Sequence, residues 1–168
     1  MDPHASPKHQ FLDAYDREHE TTMRVLHAYP ADQLDLRPHE KCKTAKELAW
    51  GFAMERGLGT MVFNDEFVEK VTGEMPQPPG EWDELLDTVE KVSRDFRELV
   101  ASTPDEELMR KVRFFTAPRT MGEVSRLAWI WFLLHDEIHH RGQFSVYLRM
   151  AGGKVPSIYG PTADEPWM

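Results

Sequence analysis

Cysteine is nearly absent from this chain: Cys42 stands alone among 168 residues. No disulfide can close within the chain and no thiolate zinc cluster can be built, which favours a reducing, cytoplasmic setting. Long apolar runs are missing too. The longest, from Leu127 to Leu134, falls far short of the roughly 20 residues that span a bilayer. The segment Met1 to His9 carries no apolar signal-peptide core, so a soluble protein with no membrane partner is expected. An excess of positive charge is also lacking. A net charge of -9 and a pI near 5.3 argue against nucleic acid as a partner, because neutralising phosphates requires a basic patch. No P-loop, GxGxxG or GxSxG pattern occurs, and there is no internal repeat. What remains is a chain with 40% hydrophobic residues, enough for a single domain over residues 1–168 with its own core.

The apolar spacing is helical almost throughout. A first helix is predicted from Pro7 to Tyr29, with Phe11, Tyr15, Thr22, Met23 and Leu26 on its inner side. Thr44-Ala-Lys-Glu47 fits a capping box and opens a second helix, predicted to run to Val71. The Pro- and Gly-rich stretch from Gly73 to Gly80 breaks the chain. A third helix follows from Glu81 to Ser102, and a short extra helix from Pro104 to Arg110. Lys111 to Pro118 reads as a linking segment with an extended stretch at Val112 to Phe115. Thr120-Met-Gly-Glu123 reads as a second capping box, opening a last helix to Met150. The tail from Val155 is rich in proline and reads as irregular but packed down. The fold class is therefore all-α, a four-helix bundle.

The chemistry concentrates in His135-Asp136-Glu137-Ile138-His139-His140-Arg141-Gly142-Gln143. Imidazoles at i and i+4 lie on one helix face, so His135 and His139 can reach a common metal ion. A helical wheel puts them beside the stripe of Leu127, Trp131, Leu134 and Ile138. The same wheel sets Asp136 and His140 on the more polar side, and turns Glu137 away. Two histidines do not complete a site, so a third ligand must come from elsewhere. His19, on the first helix, reads as a core histidine with a hydrogen-bond partner, and Cys42 as an ordinary loop thiol.

The block His135-x-x-x-His139-His140-Arg141-Gly142-Gln143, then Tyr147-Leu148-Arg149 and Gly152, then the tail from Val155 to Glu165, resembles the DinB-like (DinB/YfiT) proteins. Thr44, Glu47, Leu48 and Ala49 at the start of the second helix match as well. The resemblance spans essentially the whole chain. It implies an up-down-down-up bundle, often a homodimer, in which many members hold nickel or zinc with three histidines. One of these comes from the second helix and two from the last. Some relatives transfer low-molecular-weight thiols or use them in isomerisation.

At the position of the second-helix histidine this chain has Gly51. Glu55, one turn on, lies on the same face and is the candidate replacement. Counting back from Arg141-Gly142-Gln143 gives a rival pair, Asp136 and His140; the wheel favours His135 and His139. A mixed imidazole–carboxylate set suits Zn, Mn or Fe with open positions. The expectation is a divalent-metal-dependent enzyme of thiol-transferase or hydrolase type acting on a small-molecule or thiol substrate. Glu55 would serve as ligand or general base, and Arg141 would orient an anionic substrate. Two alternatives stand beside it. One is a non-catalytic dimeric bundle that has lost its metal because position 51 is glycine. The other is a metal-free pocket for an apolar or thiol-bearing small molecule.

Overall fold

Helix starts are set by side chains that accept the free N–H groups of a first turn. In the computed structural model, which describes residues 6–67 and 76–168, Ser6 accepts from the His9 N–H and opens α1 (Pro7–His27). Thr44 and Glu47 form the complete capping box of α2 (Ala45–Phe63), at 3.1 and 2.7 Å. Thr44→Ala is expected to cost about 1 kcal/mol, readable as a lower urea midpoint with an unchanged slope. α3 spans Trp82–Ser102, and a 3-10 turn follows at Asp105–Met109.

α2 ends sooner than its apolar spacing predicts. Asn64 caps it, and Asp65 takes a left-handed φ of 60° while its carboxylate accepts from the Arg113 N–H. This bond stops the helix. The predicted terminus, Val71, lies outside the described residues.

The linking segment is also more ordered than expected. β1 (Lys111–Ala117) and β2 (Thr120–Ser125) form an antiparallel hairpin, with Val112 opposite Val124. Thr120 therefore caps no helix. Ser125 does so instead, accepting from the Ala128 N–H to open α4 (Arg126–Met150). The fold is thus a four-helix bundle with a two-stranded hairpin added.

Side-chain pairings fix the helix directions. Phe11 meets Trp131 and Glu18 meets Arg141, so α1 and α4 run parallel. Phe63 meets Arg126 and Lys43 meets Tyr147, so α2 and α4 are antiparallel. Lys8 reaches Thr103 and Tyr15 reaches Ser93, so α1 opposes α3. With Lys46 on Gly80 and Phe63 on Phe96, α2 and α3 are parallel. That is the up-down-down-up order. α2 and α4 approach closely at Gly59, where an added Cβ would fall 2.6 Å from Leu133 Cδ1 and where the carbonyl accepts from Trp129 Nε1.

The core is divided in two. One half gathers Leu26, Tyr29, Phe52, Trp82, Leu85 and Phe144; the other gathers Phe11, Phe63, Phe96, Trp129 and Leu133. Between them lies a layer of buried polar side chains, Thr22, Arg56, Ser93, Glu137 and Arg141. Because unpaired buried charge is costly, Arg56 pairs with Glu137, and Thr22 bridges Glu137 and Arg141.

The tail packs down as expected. Asp164 accepts from the Val155 N–H at 2.8 Å and pairs with Arg149, and Trp167 Nε1 donates to Ser157 Oγ. The Arg149 contact, then the Val155 N–H, holds the Asp164 carboxyl below its ordinary pKa. A lowered folded-state pKa gives stabilisation that is fully present above the ordinary carboxylate value and is lost as pH falls through the lowered one. The Trp167 indole N–H resonance should therefore broaden on acidification, and should already be broadened at neutral pH in Asp164→Asn. Among the described residues no helix is long and apolar enough to cross a membrane.

Candidate functional site

α4 is turned by about one residue relative to the wheel prediction. Its buried stripe is Trp129, Ile130, Leu133, Leu134, Glu137, Arg141, Phe144, Tyr147 and Leu148. Arg126 is buried at the start of the helix, where it donates to the Phe63 carbonyl, and Glu137 and Arg141 are inside because each has a partner there. Arg56 pairs with Glu137, and Thr22 Oγ1 donates to Glu137 Oε1 at 2.6 Å. The Arg56 guanidinium also lies 5.1 Å from the centre of the Tyr15 ring. Arg141 donates to the Glu18 carbonyl, the Glu18 carboxylate and the Tyr159 hydroxyl, at 3.0, 2.6 and 2.6 Å.

This corrects two expectations. His135 and His139 are exposed rather than inward-facing: His135 stacks loosely on Trp131, and His139 meets Gln143 at 2.9 Å. Arg141, expected to face a substrate, is instead buried, with its guanidinium hydrogen-bonded to Glu18 and Tyr159. His19 has the expected hydrogen-bond partner, Glu90 at 3.0 Å, but stacks on Tyr15 at the half-buried edge of the core rather than within it. Cys42 is a free, half-buried thiol.

The rival register is the one that converges. Glu55 on α2 and Asp136 and His140 on α4 bring ligand atoms within 4.8 Å of one another. His140 Nδ1 lies 2.5 Å from Glu55 Oε1 and 4.0 Å from Asp136 Oδ2. Asp136 and His140 share a face by i+4 spacing, and Glu55 faces them across the α2–α4 seam. The Glu55 carboxylate holds the His140 imidazole above its ordinary pKa, by contact first and then by charge, with partial burial opposing.

Beyond the His140–Glu55 contact, the group is incompletely satisfied. Glu55 Oε2 and His140 Nδ1 are shielded from solvent, and neither makes a properly aligned hydrogen bond. Buried polar atoms are rarely left so. Oxygen and nitrogen donors in this spread fit a divalent ion at a ligand distance of about 2 Å after small side-chain rotations. The residues present therefore suit a metal.

Gly51 sits one turn before Glu55. Apart from its flanking residues, the atoms nearest a Cβ built there are Glu55 Oε1 at 3.9 Å and Lys43 Nζ at 4.0 Å. Trp131 does not fill the space; it packs edge-on against Phe11 instead.

Each candidate ligand is followed directly by a member of the buried layer: Glu55 by Arg56, Asp136 by Glu137, His140 by Arg141. Two rows thus run side by side, one facing the seam and one fastening the core. Nothing in the periodicity showed this, because the inner row is charged.

Residues 1–167 match the DinB family. The chain belongs to that family. The DinB match agrees with the bundle order and covers the hairpin and tail as well. Uncharacterized protein YrdA of Bacillus subtilis is 25% identical over 156 residues, covering 92% of this chain and 89% of that protein. Among solved DinB-like structures, one from Bacillus cereus superposes with a TM-score of 0.74 at 24% identity, covering 89% of this chain and 95% of that one. YjoA from Bacillus subtilis gives 0.70 at 17% identity, with 89% and 97% covered. At these identities the structural likeness speaks for the fold alone.

Proposed function

We propose that this DinB protein is a divalent-metal-dependent enzyme of hydrolase or thiol-transferase type, with Glu55, Asp136 and His140 as its protein ligands. The observation that carries this reading is the convergence of three donors from two helices, with Glu55 Oε2 buried and without a hydrogen-bond partner. Two carboxylates and one imidazole form a harder set than three histidines, which favours zinc, manganese or iron over nickel. The ion would supply Lewis-acid activation of water or a thiol. Glu55 and Asp136 would partly neutralise its charge, while the Arg56–Glu137 pair behind them holds α2 and α4 in register.

The experiment is metal content after incubation of untagged protein with Zn, Mn, Fe and Ni in turn. Close to one equivalent is expected for at least one of the first three. Less than ~0.1 equivalent for all would sink the reading, since an intact catalytic site with three protein ligands binds far more tightly.

A second reading is a non-catalytic homodimeric bundle that has lost its metal. Gly51 favours it, together with the Lys43 ammonium near the space a histidine would fill. Gly51→His separates the two. If the parent already binds metal, the added imidazole raises affinity; if only the variant binds, the second reading holds for the natural protein.

A further inference from the structure

A cleft of about 480 Å³ opens beside His140, lined also by Lys43, Leu48, Gln143, Val146 and Tyr147. Its wall is part apolar and part polar, as small-molecule sites usually are. His140 is common to the cleft and to the Glu55–Asp136–His140 group. Gly51 lies close to both, since a Cβ built there would be 3.9 Å from Glu55 Oε1 and 4.0 Å from Lys43 Nζ.

Lys43 is held in place through its backbone. Its carbonyl accepts from the Tyr147 hydroxyl at 2.9 Å, tying it to α4, and it directly precedes the Thr44 cap of α2. Its ammonium forms no ion pair or side-chain hydrogen bond among the described residues. An exposed cation on an anchored backbone therefore lines a cleft whose wall His140 shares with the donor group. A neutral occupant would leave that cation unused, and a second cation would be repelled by it. An anion with a short apolar body matches charge and lining together.

Resting on the metal-site reading above, we propose that this cleft binds a small organic carboxylate. Its carboxylate lies between the ion, on the His140 side of the cleft, and the Lys43 ammonium, and its apolar body lies against Leu48, Val146 and Tyr147.

The test uses the full chain loaded with cobalt(II), whose visible absorption reports changes in its ligands. Phenylacetate is titrated against the loaded protein, with phenylacetamide as the neutral isostere and Lys43→Met as the variant. The expected result is a saturable spectral change with phenylacetate, weakened about tenfold in Lys43→Met, as loss of one charge-assisted hydrogen bond implies. Phenylacetamide should produce none. Cobalt binding without a phenylacetate response, or with an equal response in Lys43→Met or to phenylacetamide, overturns the proposal and leaves the metal reading standing. Absence of any cobalt spectrum overturns both.

Discussion

Glu137→Ala is expected to destabilise the protein by about 3–5 kcal/mol, because it strands the Arg56 guanidinium in the interior without its counter-charge. Arg56 and Glu137 are 3% and 1% exposed, so solvent cannot take over the role of the lost partner. Thr22 Oγ1 would lose one of its two acceptors, keeping the Glu18 carbonyl. That cost is a large share of the roughly 5–15 kcal/mol that holds a domain together. Urea unfolding followed by far-UV circular dichroism measures it. The double variant Arg56→Met with Glu137→Leu removes both charges and should recover much of the loss, since an apolar pair of similar volume is often neutral or better. A loss below ~1 kcal/mol in the single variant, typical of an exposed ion pair, would show that the layer between the two core halves is solvated.

The second large effect concerns the seam. Glu55→Ala and His140→Ala are each expected to weaken metal uptake by more than the roughly 10–100-fold that changes behind a ligand cause. His135→Ala and His139→Ala should leave it unchanged, because both side chains are exposed and neither belongs to the converging group. Titration calorimetry with zinc and manganese reads all four variants. Uptake that survives His140→Ala but fails in His139→Ala would reverse the register and remove the basis of the proposed site.

The pattern of what the sequence reveals follows from the physics of each element. Caps are local, so Thr44 with Glu47 was readable from four residues. α1 and α3 follow ordinary amphipathic spacing, and their boundaries fall within two residues of the expected ones. The hairpin was illegible for a specific reason. Its two-residue connection is Pro118-Arg119, with Arg119 at a left-handed φ of 59°, where Asn-Gly or Asp-Gly is the usual signal. Thr120 with Glu123 meanwhile imitated a cap. In α4 the inward positions carry Glu137 and Arg141, and a wheel that seeks apolar residues turns away from them. Weighting mutually pairable charges three or four residues apart as core candidates would have pointed to Asp136 and His140 beside them. Glu55 was readable from its i+4 relation to Gly51; that it meets His140 was not, because it depends on how α2 and α4 cross.

The pairing of each seam residue with an interior neighbour has an evolutionary reading. The inner row, Arg56, Glu137 and Arg141, carries the fastening. The outer row, Glu55, Asp136 and His140, is relieved of it, and so is position 51. Exchange of an outer side chain changes what the seam can hold without loosening the bundle, whereas exchange of an inner one threatens the whole frame. Such a scaffold lets its chemistry drift: ligands can be swapped, dropped or regained one substitution at a time, each intermediate remaining a folded protein on which selection can act.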